Sequence, residues 1–337
     1  MLVPMHSENE YRALCAGPAL VERSYRALLE VTGADRATWL HNLTTNQVKN
    51  LGRGEGNYAF VLNIQGRILF DVNILVRAES IWLDLDRRFL ETAKKHFSKY
   101  SITEDVAVFD RSEEFVRFAL VGSGAVALLA ELDAANAAAM ATLSLSQIEW
   151  RGAVIPLIRH DFCGPFGAEL FVPTQQAVEF RQECCTSGKA VPVGDDAVQV
   201  HRIEVGIPWP GHEITDEYLP AETRQLDRAV NYQKGCYLGQ EVVERMRSRQ
   251  VVARQLVGVR IEGATVPPVP SELIDENGKP VGKVTSACCS IAQACVIGLG
   301  YVKTASSTAG TALSLASDGS ALKVVVVDLP FKSSAVN

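Results

Sequence analysis

From Gln255 to Val327 the chain never settles into the three-to-four-residue apolar spacing of a helix. Short β-rich runs at 256–261, 272–274, 281–285, 294–301, 311–314 and 322–327 alternate with turns such as Asn277-Gly278-Lys279-Pro280. Strands at this spacing, with no helices between them, predict a small barrel. The region before Gln255 reads differently. Strands and helices are mixed there, so the fold class is α+β with a C-terminal β-barrel.

Strands are predicted at 25–30, 58–63, 68–76, 81–85, 106–109, 115–121 and 153–159, with Gln65-Gly66-Arg67 as a hairpin turn. Helices are predicted after Gly33-Ala34-Asp35, where Trp39, Leu40 and Leu43 share one face, and at 89–99, 175–184 and from Asp195. Gly122-Ser123-Gly124-Ala125-Val126-Ala127 follows a strand and opens a helix, as a dinucleotide fingerprint does. The next strand's acid, Glu149, stands further away than the roughly 20 residues that fingerprint needs. Close packing of the helix through small residues is the alternative reading.

At 337 residues the chain has room for two or three packed units. A net charge of -6 argues against a general nucleic-acid binder. The longest apolar stretch, 118–132, contains Gly122, Ser123, Gly124 and Glu131, so no membrane span is expected. The opening residues include Glu8 and Glu10 and have no apolar core, so a secretory signal is not expected and the location reads as cytoplasmic. None of the 8 cysteines forms a C-x-x-C, and Cys184-Cys185 and Cys288-Cys289 are adjacent. A self-contained zinc or iron–sulfur site is therefore not expected. An iron–sulfur cluster would need a partner.

The densest chemistry lies in Lys234-Gly235-Cys236-Tyr237-Leu238-Gly239-Gln240-Glu241. A helix is predicted from Gly239, with Glu241 and Arg245 four apart and Glu244 and Arg247 three apart. A cysteine beside a lysine and a helix N-terminus has reason to favour the thiolate; a buried cysteine in a glycine turn is the alternative. The cations Arg245, Arg247, Arg249 and Arg254, with Arg224, Arg228 and Lys234 upstream, suggest an anion site: a folate polyglutamate tail, a tRNA backbone or an acidic partner. A solvated helix face paired with Glu241 and Glu244 competes with that reading.

This octapeptide resembles the K-G-C-[FY]-x-G-Q-E signature of the folate-binding YgfZ family, within the glycine-cleavage T-protein (aminomethyltransferase) superfamily. Arg202-Ile203-Glu204-Val205-Gly206-Ile207-Pro208 is similar to that superfamily's R-x-E-x-G-x-P. Gly33 to Asp35, Leu43-Thr44-Thr45-Asn46 and Gly66 to Asp71 resemble its opening, and Gly164-Pro165-Phe166-Gly167-Ala168-Glu169-Leu170 its G-E-x-G-[FY]-E-[LI] segment, with proline for the first acid. Gln250 stands where the family has glycine after the arginine.

The resemblance implies two interlocked α/β (ferredoxin-like) units around a central cavity plus the barrel. It places an N-terminal unit at 1–115, completed by about 190–250, a second at 116–190, and the barrel at 255–330. It implies tetrahydrofolate or a derivative as cofactor, with the pterin on Glu204. Arg202, Asn73, Trp209 and Tyr237 would lie nearby, with Asp71 as a possible catalytic group. A carboxylate accepts both the amide N–H and the exocyclic amine of a pterin, which suits Glu204; a salt bridge to Arg202 is the alternative. Cys236 is the candidate thiolate, and the implied partners are iron–sulfur enzymes or cluster carriers. The implied role is an accessory factor for assembly or repair of iron–sulfur proteins, with tRNA thiolation as a related process. A folate-dependent aminomethyltransferase is the alternative, so whether the chain is an enzyme stays open.

Overall fold

A computed structural model describes residues 8–163, 166–249, 252–315 and 322–331. Gly164, Pro165, Gln250 and the tail beyond Phe331 lie outside them. The chain opens with α1 (Glu8–Cys15), β1 (Ala19–Glu22), β2 (Arg26–Thr32), α2 (Arg36–Leu43), β3 (Gly56–Leu62), β4 (Ile68–Val76), β5 (Ile81–Asp86), α3 (Leu90–Lys99) and β6 (Ala107–Asp110). It continues through β7 (Phe115–Val121), α4 (Ala125–Glu131), β8 (Leu145–Trp150), β9 (Ala153–Arg159), β10 (Gly167–Pro173), α5 (Ala177–Cys185), β11 (Val191–Val193) and α6 (Asp195–Glu204). Helices α7 (Leu226–Ala229) and α8 (Gln240–Arg249) precede β12 (Arg254–Ile261), β13 (Ser271–Ile274), β14 (Pro280–Ser290), β15 (Cys295–Lys303), β16 (Ala312–Leu315) and β17 (Leu322–Val327).

Two sheets and a barrel result. One sheet has the order β3-β4-β5-β2-β6, the other β11-β1-β7-β10-β9-β8, and β12-β15-β14-β13-β16-β17 close on themselves. β1 pairs with β7 while β2, only a few residues on, pairs with β5, so the chain crosses from one sheet to the other at its start. The segment 122–127 carries no dinucleotide turn. Gly122 has φ +92°, and a Cβ there would lie 2.1 Å from the Gly17 carbonyl oxygen. Only glycine fits that approach of α1 and β1.

Alternation along β3–β5 separates two environments. Val61, Phe70, Val72, Ile74 and Leu83 face a core packed by Trp39, Leu40 and Phe97 of α2 and α3. On the other side Tyr58, Phe60, Leu75 and Trp82 meet Ile158 and Phe171 of the second sheet, with Tyr237 and Val243 of the signature region.

That shared interior also holds a buried ionic layer. Asp84 of β5 accepts from Arg26 at 2.8 and 2.9 Å, from Arg117 of β7 at 3.0 Å and from Asn73 at 2.7 Å. Glu169 of β10 accepts from Arg117 at 2.9 Å and pairs with Arg23 and His160. Burial alone would raise the Asp84 carboxyl, but Arg117 and Arg26 hold it well below the carboxylate range.

His41 and His96 sit elsewhere in the interior. Burial, with Lys234 and Lys49 beside His41 and Lys99 beside His96, lowers each to about 4. The unfolded imidazoles take up protons near pH 6.5 while the folded ones stay neutral. Stability is therefore complete above that pH and is lost as pH falls towards 4. Thermal melts at pH 7 and pH 5 should show the lower midpoint at pH 5; equal midpoints would remove these histidines as the cause.

Candidate functional site

Between the two sheets lies a narrow polar cleft with a cavity volume of about 40 Å³. Alternation on β4 and β5 turns Asp71, Asn73 and Asp86 towards it, since residues two apart share a face. Tyr58 of β3, Arg26 of β2 and Trp209 from the loop after α6 complete much of the wall. The Trp209 ring lies 5.8 Å from that of Tyr25, tilted by 41°.

Two acceptors in this wall are unused. Asp71 is 6% exposed; its Oδ2 accepts from the Tyr58 hydroxyl at 2.8 Å, and its Oδ1 has no hydrogen-bond partner. Asn73 is 2% exposed; its amide donates to Asp84 at 2.7 Å, and its Oδ1 is also without a partner. Burial raises the Asp71 pKa, against the pull of Arg26 and the Tyr58 hydrogen bond. Buried acceptors left unpaired cost free energy, so this cavity suits a ligand with N–H donors.

Three residues expected beside a pterin stand elsewhere. Glu204 accepts from Tyr11 at 2.5 Å, Ser290 at 2.5 Å and the Ala292 amide at 3.2 Å, which ties α6 to α1 and the barrel. Arg202 is fully buried and donates to Glu213 at 2.8 Å and Ser286 at 2.7 Å. Glu213 in turn accepts the Trp209 amide at 3.0 Å, so Arg202 holds the Trp209 loop from behind. Tyr237 is packed in the intersheet core and its hydroxyl has no partner. Of the residues predicted near the cofactor, Asn73 and Trp209 line the cavity, as does Asp71.

The predicted anion site is also corrected. Lys234 is buried, and its ammonium donates to the carbonyls of His41, Thr44 and Asn46 at 2.5, 2.5 and 2.7 Å. Burial and nearby Lys49 lower its pKa to about 7. Arg245 pairs with Glu241 at 2.5 Å, Arg247 with Glu244 at 3.8 Å and Arg254 with Glu222 at 3.2 Å; Arg249 is exposed at the end of α8. Most of these charges are spent within the chain. Replacing Lys234 by methionine would strand the carbonyls that end α2, at a cost of about 2–4 kcal/mol. A urea midpoint equal to the parent's would mean that they find other partners.

Cys236 is exposed. It precedes α8 by four residues rather than sitting at the helix N-terminus, because α8 starts at Gln240. Its loop is pinned on both sides by Lys234 and by the Leu238 amide, which donates to the Asn42 carbonyl at 3.0 Å. Gly239, at φ +81°, lies so close to the β3–β4 hairpin that a Cβ would sit 2.6 Å from the Asn63 carbonyl oxygen. At Gly235 a Cβ would meet nothing within 4 Å. Among the described residues no three His, Cys, Asp or Glu side chains are grouped to hold a metal, and no helix is long and apolar enough to cross a membrane.

Sequence reasoning missed Tyr25, Arg26, Tyr58, Asp86 and His160 as cavity residues, and placed Arg228 only among the cations near the signature. A signal did exist for Asp86. Polar residues at two-residue intervals along the apolar strands 68–76 and 81–86 mark a buried polar face.

Two α/β sheets enclosing a polar cavity, with a closed six-stranded barrel at the C-terminus, define a T-protein-like fold. Residues 4–234 match the GCVT N-terminal domain and residues 254–332 the glycine cleavage T-protein C-terminal barrel domain. The chain belongs to the glycine-cleavage T-protein family. It is 26% identical over 326 residues to an aminomethyltransferase of Chloroherpeton thalassium, covering 96% of this chain and 89% of that protein. An aminomethyltransferase of Bacillus subtilis is 26% identical over 331 residues, covering 96% and 90%. The crystal structure of the glycine cleavage system aminomethyltransferase T from Bartonella henselae superposes with a TM-score of 0.87 at 20% identity, covering 96% of this chain and 89% of that one.

Proposed function

We propose that this protein is a tetrahydrofolate-binding accessory factor of the YgfZ type, acting in assembly or repair of iron–sulfur proteins. The polar lining of the cleft suits the cofactor's ring. Asp71 Oδ1 and Asn73 Oδ1 are unpaired acceptors for the amide and amine N–H groups of a pterin, and Tyr25 and Trp209 offer aromatic faces. Bound there, the folate would supply one-carbon chemistry at its ring nitrogens.

The step from folate enzyme to accessory factor rests on Cys236. It is exposed on a loop held at both ends, and it is not among the residues that line the cavity. One-carbon transfer needs a positioned folate and a carboxylate, and no thiol. A thiolate is the group that ligates or attacks iron–sulfur species brought by a partner enzyme or cluster carrier. A tRNA is the less favoured partner, since Arg245, Arg247 and Arg254 are already paired.

The aminomethyltransferase reading is supported by the names of the relatives, at 26% identity. Anaerobic calorimetric titration with tetrahydrofolate, repeated with glycine-cleavage substrates, separates the two. Binding without methylene transfer is expected. Binding with turnover would favour the aminomethyltransferase, and no binding would remove folate from the proposal.

A further inference from the structure

Three arginines line the cavity: Arg23, Arg26 and Arg228. Arg23 is neutralised by Glu169 and Arg26 by Asp84, both wholly buried acids. Arg228, among the described residues, has no ion pair. Its guanidinium is nonetheless held in place. It lies 4.0 Å from the centre of the Tyr58 ring, a cation–π distance, and its carbonyl accepts from Asn46 at 2.8 Å. The same Asn46 amide donates to the Tyr58 carbonyl at 2.8 Å, so ring and guanidinium are fixed to one anchor.

Polarity is therefore ordered along the cavity. Its interior presents the unused acceptors Asp71 Oδ1 and Asn73 Oδ1. Its exposed edge presents Arg228, which forms no salt bridge among the described residues and whose charge reaches the Asp71 carboxylate without pairing with it. A ligand matching both ends has N–H donors on its ring and a negative charge on its tail. We infer that Arg228 binds the carboxylate tail of the cavity's ligand, through a charge-assisted contact to its planar guanidinium. This moves the tail contact from α8, where Arg245 and Arg247 are paired with glutamates, to α7. It rests on the folate reading above and adds the residue that distinguishes a folate from a bare pterin.

The test compares tetrahydrofolate with 6-methyltetrahydropterin, which has the ring and no carboxylate tail. In anaerobic calorimetry, Arg228→Gln should weaken tetrahydrofolate by about tenfold or more, roughly 1.4 kcal/mol, and leave the pterin within about twofold. The parent's affinity for tetrahydrofolate should fall with added salt, and the variant's should not. Arg228→Lys keeps the charge without the fork and should fall between the two. Equal losses for both ligands, or no loss for tetrahydrofolate, would overturn the assignment while leaving folate binding intact. A parent protein that binds neither ligand overturns the folate reading, and this assignment falls with it.

Discussion

Asp84→Ala should be among the most damaging single substitutions in this chain. Asp84 is wholly buried and accepts from Arg26, Arg117 and Asn73. Removing it leaves two guanidinium groups inside the protein, Arg117 with Glu169 as its remaining salt bridge and Arg26 with none, only the fields of Asp71 and Glu169. Breaking a buried pair by deleting one partner costs about 3–5 kcal/mol, because the remaining charge has lost both water and its counter-ion. Asp84→Asn keeps the shape and one acceptor and should cost less. The alanine variant should also lose ligand binding, since Asp84 holds Asn73, whose other amide atom faces the cavity. Denaturant midpoints for both variants decide the point. A shift under about 0.5 kcal/mol for alanine would mean that the intersheet layer contributes little to stability.

The strands were the most legible part of the sequence. The predicted spans 68–76, 115–121, 153–159 and 322–327 coincide with β4, β7, β9 and β17, because each is a β-branched or aromatic run bounded by turn residues. Strand β1 and helix α1 were not predicted. α1 is only eight residues long, too short a window for its apolar face to stand out.

Side-chain direction was much harder to read. A motif resemblance locates a residue in the chain but not the surface it faces. Arg202 and Glu204 are two apart on α6, which separates them by roughly 200° around the helix. They cannot both point at one ligand, and here one supports the Trp209 loop while the other docks on the barrel. Lys234 was unreadable for a different reason. Its three acceptors end a helix nearly two hundred residues earlier, and no local pattern records that contact. The glutamates that neutralise Arg245 and Arg247, by contrast, sit at helical spacing in plain view.

Cys236→Ser should abolish rescue of a cell lacking this protein while leaving the fold and folate affinity unchanged. The separation follows from position. The side chain of Cys236 is exposed, and Gly235 beside it faces open space, so a serine of similar size disturbs no packing. The cavity acceptors Asp71 and Asn73 come from β4 and do not depend on this loop. A serine hydroxyl cannot replace the thiolate as a metal ligand or sulfur nucleophile at neutral pH. The loop itself stays in place through Lys234 and the Leu238 amide, neither of which the substitution touches. Melting temperature and tetrahydrofolate affinity should therefore match the parent, while growth under conditions that demand iron–sulfur enzymes should match the deletion. Full rescue by the serine variant would rule out a thiolate role and leave the folate cavity as the functional centre. Failed rescue with normal folate binding would assign the two parts separate duties, one holding the one-carbon carrier and the other meeting the partner.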